Sequence, residues 1–128
     1  MSERNPGDIY RDYLDCLNRR DWASLGQFVA DDVIHNGRRI GLAGYRDMLE
    51  QDVRDIPDLR FRLELLVSEP PIVASRLAFD CTPANGFLGL EIGGKRVSFA
   101  ENVFYAFRDG KIAQVWSVID KAAIEAQL

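Results

Sequence analysis

The closing hairpin constrains this chain most. Val97 to Phe107 and Ile112 to Asp120 are rich in β-branched and aromatic residues, and Arg108-Asp109-Gly110-Lys111 separates them. Asp-Gly between such runs signals a hairpin, because glycine accepts the positive φ of a type I′ turn. A two-residue loop opposes Arg108 to Lys111 and Phe107 to Ile112. Continued without interruption, that register puts Glu101 opposite Val118 and Phe99 opposite Asp120. Glu101 and Asp120 then become diagonal neighbours, roughly 7–8 Å apart between backbones. Their face also carries Val103, Tyr105, Trp116 and Val118. A three-residue loop with a bulge at Gly110 is the alternative; it sets Asn102 and Ser98 beside Trp116 and Asp120. We adopt the two-residue register, which keeps Lys111 with Arg108 at the solvent end and matches aromatic to aliphatic pairs. Two carboxyl groups in an apolar face are costly unless paired, protonated or functional.

Upstream, the hydrophobic period is helical. Ile9, Tyr10, Tyr13, Leu14 and Leu17 predict an amphipathic helix over Asp8 to Asn18, starting near Asn5 or Pro6. Asp21 is placed to cap a shorter helix through Trp22, Leu25, Phe28 and Val29. Asp31 to His35 reads as a strand ending at Asn36-Gly37. Gly41 to Asp55 reads as a helix carrying Leu42, Tyr45, Met48, Leu49 and Val53, which Pro57 stops. The period then changes to two: Leu59 to Val67 and Ile72 to Cys81 predict strands broken by Glu69-Pro70-Pro71, with a loop or bulged edge over Gly86 to Gly94. Lys121 to Leu128 can continue as a short helix or tail. Helices followed by antiparallel strands describe an α+β domain over residues 1–128, a curved sheet with helices on one face. Ala100, Phe104, Ala106, Val115 and Ile119 make the second face of the closing hairpin apolar too. A homodimer packed through the sheet would cover it; the alternative cover is the carboxy-terminal tail.

Several function classes lose support. Sixteen basic residues are scattered, without the basic stripe that a nucleic-acid surface requires. No apolar run approaches the roughly 20 residues of a membrane span. Met1 to Pro6 lacks the apolar segment of a leader peptide. Cys16 and Cys81 are isolated and read as reduced core thiols, so the expected compartment is the cytoplasm. No phosphate loop, Gly-x-Ser-x-Gly elbow, Cys-x-x-Cys or His-Glu-x-x-His occurs. Asp31, Asp32 and His35 do not read as a metal site, because consecutive strand residues point to opposite faces. No metal or other cofactor is expected.

The order of elements resembles the NTF2-like superfamily and, over nearly the full length, its SnoaL-like polyketide cyclase (ester cyclase) family. The residues carrying the likeness are Asn18-Arg19-Arg20-Asp21-Trp22, Asp31-Asp32-Val33-Ile34-His35, Gly41-Leu42-Ala43-Gly44-Tyr45, Ile56-Pro57-Asp58-Leu59, Phe87-Leu88-Gly89, Phe107 to Ile112 and Val115 to Asp120. The resemblance implies a cone with a pocket between helices and sheet. It also implies an acid/base role, in cofactor-free aldol ring closure, for the Asp ending the Trp-x-x-x-Asp strand, here Asp120. Cys81-Thr82-Pro83 departs from the Gly-Thr-His of many members, so a pocket-edge histidine is missing.

The expected catalytic residues are Asp120, Glu101 and His35. Burial of Asp120 would raise its pKa towards neutrality; its bland alternative is capping Lys121-Ala122-Ala123-Ile124. Glu101 stands where a sheet prefers Val, and its alternative is a salt bridge to Arg76 or Arg46. His35, the sole histidine, is a natural base or substrate donor, or else a structural hydrogen-bonder. Trp116 and Tyr105 share the expected face of Glu101 and, with Tyr45 and Phe79, are the expected substrate-binding side chains. The function expected is acid/base chemistry on a small hydrophobic carbonyl compound. A non-catalytic ligand-binding or dimerisation module, or a hydrolase or dehydratase using the same pocket, is the alternative.

Overall fold

The computed structural model describes residues 4–128. Met1 to Glu3, part of the segment read for a leader, lie outside the described residues. The elements are α1 (Pro6–Asn18), a 3-10 turn (Trp22–Gln27), β1 (Val29–His35), β2 (Arg38–Arg39), α2 (Gly41–Asp55), β3 (Arg62–Glu69), β4 (Ile72–Cys81), β5 (Val97–Arg108), β6 (Lys111–Ile119) and α3 (Lys121–Glu125). Asn5 caps α1 by accepting from the Gly7 N–H, and Pro6 fits the first turn, where its missing N–H costs nothing. The helix expected after Asp21 is a 3-10 turn instead, and Asp21 makes no side-chain cap bond to it. Strand β3 starts at Arg62 and not Leu59, because side chains of α1 and its exit occupy the intervening backbone. Asn18 bonds both the N–H and the carbonyl of Phe61, at 2.7 and 2.9 Å, and Arg20 donates to the Leu59 carbonyl.

The strands form one open six-stranded sheet in the order β2-β1-β6-β5-β4-β3. Only the β1–β6 pair is parallel; the other pairs are antiparallel. Alternate residues of β4 (Val73, Ser75, Leu77, Phe79) and β5 (Val97, Phe99, Val103, Tyr105) are buried beneath the helices. Tyr10 and Tyr13 of α1 are buried against that face, and the Tyr10 hydroxyl lies 2.6 Å from Ser75 Oγ. Among the described residues no helix is long and apolar enough to cross a membrane.

The closing hairpin corrects one expectation. Its loop has two residues: Arg108 pairs with Lys111 and Phe107 with Ile112, and Asp109 and Gly110 both take positive φ, 52° and 76°. Ala113 is then skipped, so Ala106 pairs with Gln114, Val103 with Ser117 and Glu101 with Ile119. This bulge reverses the side-chain parity of everything beyond it. Glu101 therefore faces Ile119, not Val118. Trp116 stands opposite Phe104 on the outer face, and Val118 stands opposite Asn102 there. The partition is the one expected from a bulge at Gly110, reached by a different device. Asp120 leaves the ladder, and its side chain accepts from the Ala123 N–H at 3.1 Å to cap α3.

Candidate functional site

A cavity of about 480 Å³ lies between α1 and α2 on one side and β5 and β6 on the other. Leucine, methionine, valine and phenylalanine side chains make most of its wall, and Leu88, Asn36 and Lys121 also border it. Its other polar groups come from separate elements: Tyr13 of α1, His35 of β1, Tyr45 and Asp52 of α2, Glu101 and Tyr105 of β5, and Ser117 of β6.

Glu101 is the inward-facing β5 residue between Phe99 and Val103. The Ser117 hydroxyl donates to its Oε2. Ser117 is itself fixed, because Asn36 Oδ1 accepts from its N–H at 2.8 Å and Asn36 Nδ2 donates to its carbonyl at 3.2 Å. Burial pushes the Glu101 carboxyl above its ordinary value, and the Ser117 hydrogen bond pulls partly back. Neither arginine considered as a partner reaches it: Arg46 pairs with Glu50, and Arg76 pairs with Glu64 and bonds Asn102. Asp52 likewise has no hydrogen bond or ion pair to its carboxylate among the described residues. Burial first, then the charges of Glu101 and Asp55, push Asp52 up to about 7.

Neutral hydroxyls line the same space. The Tyr13 and Tyr45 hydroxyls are 2.7 Å apart, and Tyr105 lies 3.3 Å from the Tyr10 hydroxyl. Burial raises all four phenols, Tyr10 to about 12, so each remains a hydrogen-bonding O–H at neutral pH. The half-buried His35 ring meets Tyr45 edge-on at 6.2 Å, and burial lowers its pKa and keeps it neutral.

Of the expected site residues, Glu101, His35, Tyr45 and Tyr105 come together in this cavity. Trp116 does not, because the bulge turns it outward, where it is 41% exposed. Asp120 does not either; it is an exposed cap beyond the end of the strand. Phe79 is buried against Phe61 and Phe99, off the cavity wall. Asp52 escaped the sequence reading, although it lies seven residues after Tyr45 and three after Leu49 on the inward stripe of α2. Ser117 escaped it through the register. Among the described residues no cluster of three His, Cys, Asp or Glu is placed to hold a metal ion. Cys16 and Cys81 are buried free thiols, and burial pushes Cys81 up to about 11, away from nucleophilic use.

An open sheet wrapped over amino-terminal helices, with a cavity between the layers, is the α+β cone of NTF2-like proteins. The family model for SnoaL-like polyketide cyclase matches residues 7–128, and the chain belongs to that family. A SnoaL-like polyketide cyclase of Agrobacterium tumefaciens is 55% identical over 98% of each chain, with a TM-score of 0.96. IdmH of Streptomyces antibioticus is 20% identical over 97% of this chain and 98% of its own, with a TM-score of 0.84. AclR of Streptomyces galilaeus is 22% identical over 95% and 93%, with a TM-score of 0.78. These two likenesses carry the fold alone. No curated protein matches the chain.

Proposed function

We propose that this protein is a cofactor-free acid/base enzyme that acts on a small hydrophobic carbonyl compound, by aldol-type addition or isomerisation. One observation carries the reading: the Glu101 carboxyl sits in an apolar cavity without a counter-charge, beside neutral hydroxyls. Burial moves such a carboxyl upward, towards the range in which it can exchange protons with a substrate. Apolar walls suit a hydrocarbon frame, and phenol O–H groups suit a carbonyl oxygen that gains charge. Neutral His35 is a further hydrogen-bonding partner for the substrate. Membership of a polyketide cyclase family favours a substrate with more than one carbonyl group. The acid/base role that the resemblance implied for Asp120 is assigned here to Glu101, because Asp120 is engaged in capping α3.

The test is hydrogen exchange at carbon. β-Tetralone, an aromatic ketone small enough for the cavity, is followed by proton NMR in deuterated buffer. The enzyme is expected to speed exchange of its α-protons over buffer, and Glu101→Gln to lose most of that acceleration. Binding of β-tetralone without faster exchange would overturn the catalytic reading in favour of a ligand-binding module.

The outer sheet face supports a second part of the proposal, a homodimer. Phe104, Trp116, Val118, Leu65 and Val67 are 54, 41, 68, 58 and 56% exposed, and cross-strand pairing sets Phe104 beside Trp116. A contiguous apolar face of this kind is a natural interface. A two-fold axis through it lets each patch cover its copy.

A further inference from the structure

The unpartnered Asp52 carboxylate on the cavity wall is the feature that the reading above leaves unused. Two acids enter one apolar space, Asp52 from a helix and Glu101 from the facing sheet, and no lysine or arginine pairs with either among the described residues. From other elements, His35, Tyr13, Glu101, Tyr105 and Lys121 border the same cavity; Tyr45 and Asp55 share the helix of Asp52. His35 and the phenols are neutral, and Asp55 is engaged by Gln51. Lys121 is an exposed residue at the start of α3, paired with Glu125 at 4.0 Å. Two carboxyls in one apolar space oppose each other's ionisation, so the loss of a proton by one favours its retention by the other.

We infer that Asp52 is the base of this site: it takes the α-proton of a bound carbonyl compound, while protonated Glu101 and the Tyr13–Tyr45 hydroxyl pair hold the oxygen that becomes an enolate. The division of labour follows from the contacts. Ser117 fastens Glu101 by Oε2 and leaves Oε1 for a ligand, and within the tyrosine pair one O–H is spent on the other, which leaves one to donate. Asp52 holds nothing and is free to receive a proton. Its raised pKa near neutrality suits a general base. The two acids thus take opposite roles.

The steps balance without a further reactant. The C–H bond breaks, its electron pair moves into the enolate, and the proton goes to Asp52. In isomerisation or exchange, Asp52 returns a proton to carbon. In ring closure, the enolate carbon bonds to a second carbonyl carbon of the same molecule and Glu101 protonates the new alkoxide. Proton transfer from Asp52 to Glu101 then restores the starting state. The substrate class is an enolisable ketone, or for ring closure a compound with two carbonyls in one chain.

This inference rests on the acid/base reading of the cavity, and the experiment separates the two. Carbon-13 NMR titration of Asp52 and Glu101 reads the pair without turnover. Wild type is expected to show the Asp52 midpoint at about 7. In Asp52→Asn the Glu101 midpoint should fall by at least about half a pH unit, as the like charge is removed. Glu101→Gln, a neutral amide for a protonated carboxyl, should leave the Asp52 midpoint nearly in place. An Asp52 midpoint that is ordinary in wild type, or a Glu101 midpoint unmoved in Asp52→Asn, overturns the coupling of the two acids. In β-tetralone exchange, Asp52→Asn should slow the rate about 100-fold or more and abolish its rise with pH. Ligand affinity should stay within about threefold, because a base gains little in ground-state binding. Asp52→Glu should restore part of the rate. An Asp52→Asn enzyme with wild-type rate and an intact low-pH limb, alongside an inactive Glu101→Gln, overturns Asp52 as base and leaves the acid/base reading standing.

Discussion

The Ser117 hydroxyl donates to Glu101 from the diagonal position on the neighbouring strand. That contact exists because Ala113 is skipped in the ladder. Without the bulge, Trp116 and Val118 would share the Glu101 face and Ser117 would point outward. A single unpaired residue near the turn therefore sets the chemistry of a site several residues away.

The cavity carboxyls make stability depend on pH. Asp52 is raised from 3.8 to about 7 in the folded chain, so the folded state binds its proton more tightly than the unfolded one. Its contribution is present below about pH 4 and is lost as pH rises to about 7. Asp52→Asn removes that loss. It should raise unfolding free energy by about 1–3 kcal/mol at pH 8 and by much less at pH 4, as read by urea denaturation. Equal effects at the two pH values would contradict the burial of this charge.

Asn36 positions Ser117, and its own φ is 48°. Asn36→Gly keeps that conformation accessible while deleting both side-chain hydrogen bonds. It should cost about 1–2 kcal/mol and slow the β-tetralone exchange through loss of Glu101 positioning. Unchanged stability with unchanged exchange would show that Ser117 stands without it.

Asp120 caps a five-residue helix whose Ile124 is completely buried. Asp120→Ala should lower stability by about 1 kcal/mol and leave the exchange rate unaltered. Asp120→Asn, which can still cap, should be near neutral in both measurements. A rate collapse in Asp120→Asn with folding intact would return the acid/base role to this residue.

Phe104 and Trp116 lie at the centre of the outer apolar face. Phe104→Lys is expected to convert a dimer to a monomer, read by light scattering after size exclusion. Wild type running as a monomer would remove the dimer proposal. In the dimer, the exposed Trp116 ring is expected to fluoresce further to the blue than in the Phe104→Lys monomer.

Much of the fold could be read ahead of the structure. The inward stripes of α1 and α2, the strands around Pro70-Pro71 and the two-residue Asp109-Gly110 turn follow from period and backbone chemistry. Half the candidate site was readable as well: Glu101, His35, Tyr45 and Tyr105. Trp116 and Asp120 were misplaced because both faces of the hairpin are apolar, so alternation carries no information on parity there. Ala113 is small and neutral and leaves no mark as a bulge. Asp52 was visible on an apolar stripe, yet an acid near the end of a helix is ordinarily solvated.

The sequence by itself determined which segments become helices, strands and turns, because those choices depend on local backbone preference and on the spacing of apolar side chains. Only the tertiary structure decided which face of β6 meets the helices, and therefore that Ser117 rather than Trp116 touches Glu101. It also brought Asp52 across the cavity from Glu101, a juxtaposition of residues 49 positions apart. The physical reason is that parity and proximity belong to the ladder and the packed layers. A bulge shifts every later side chain at once, and a carboxyl becomes costly only when its neighbours in space exclude water.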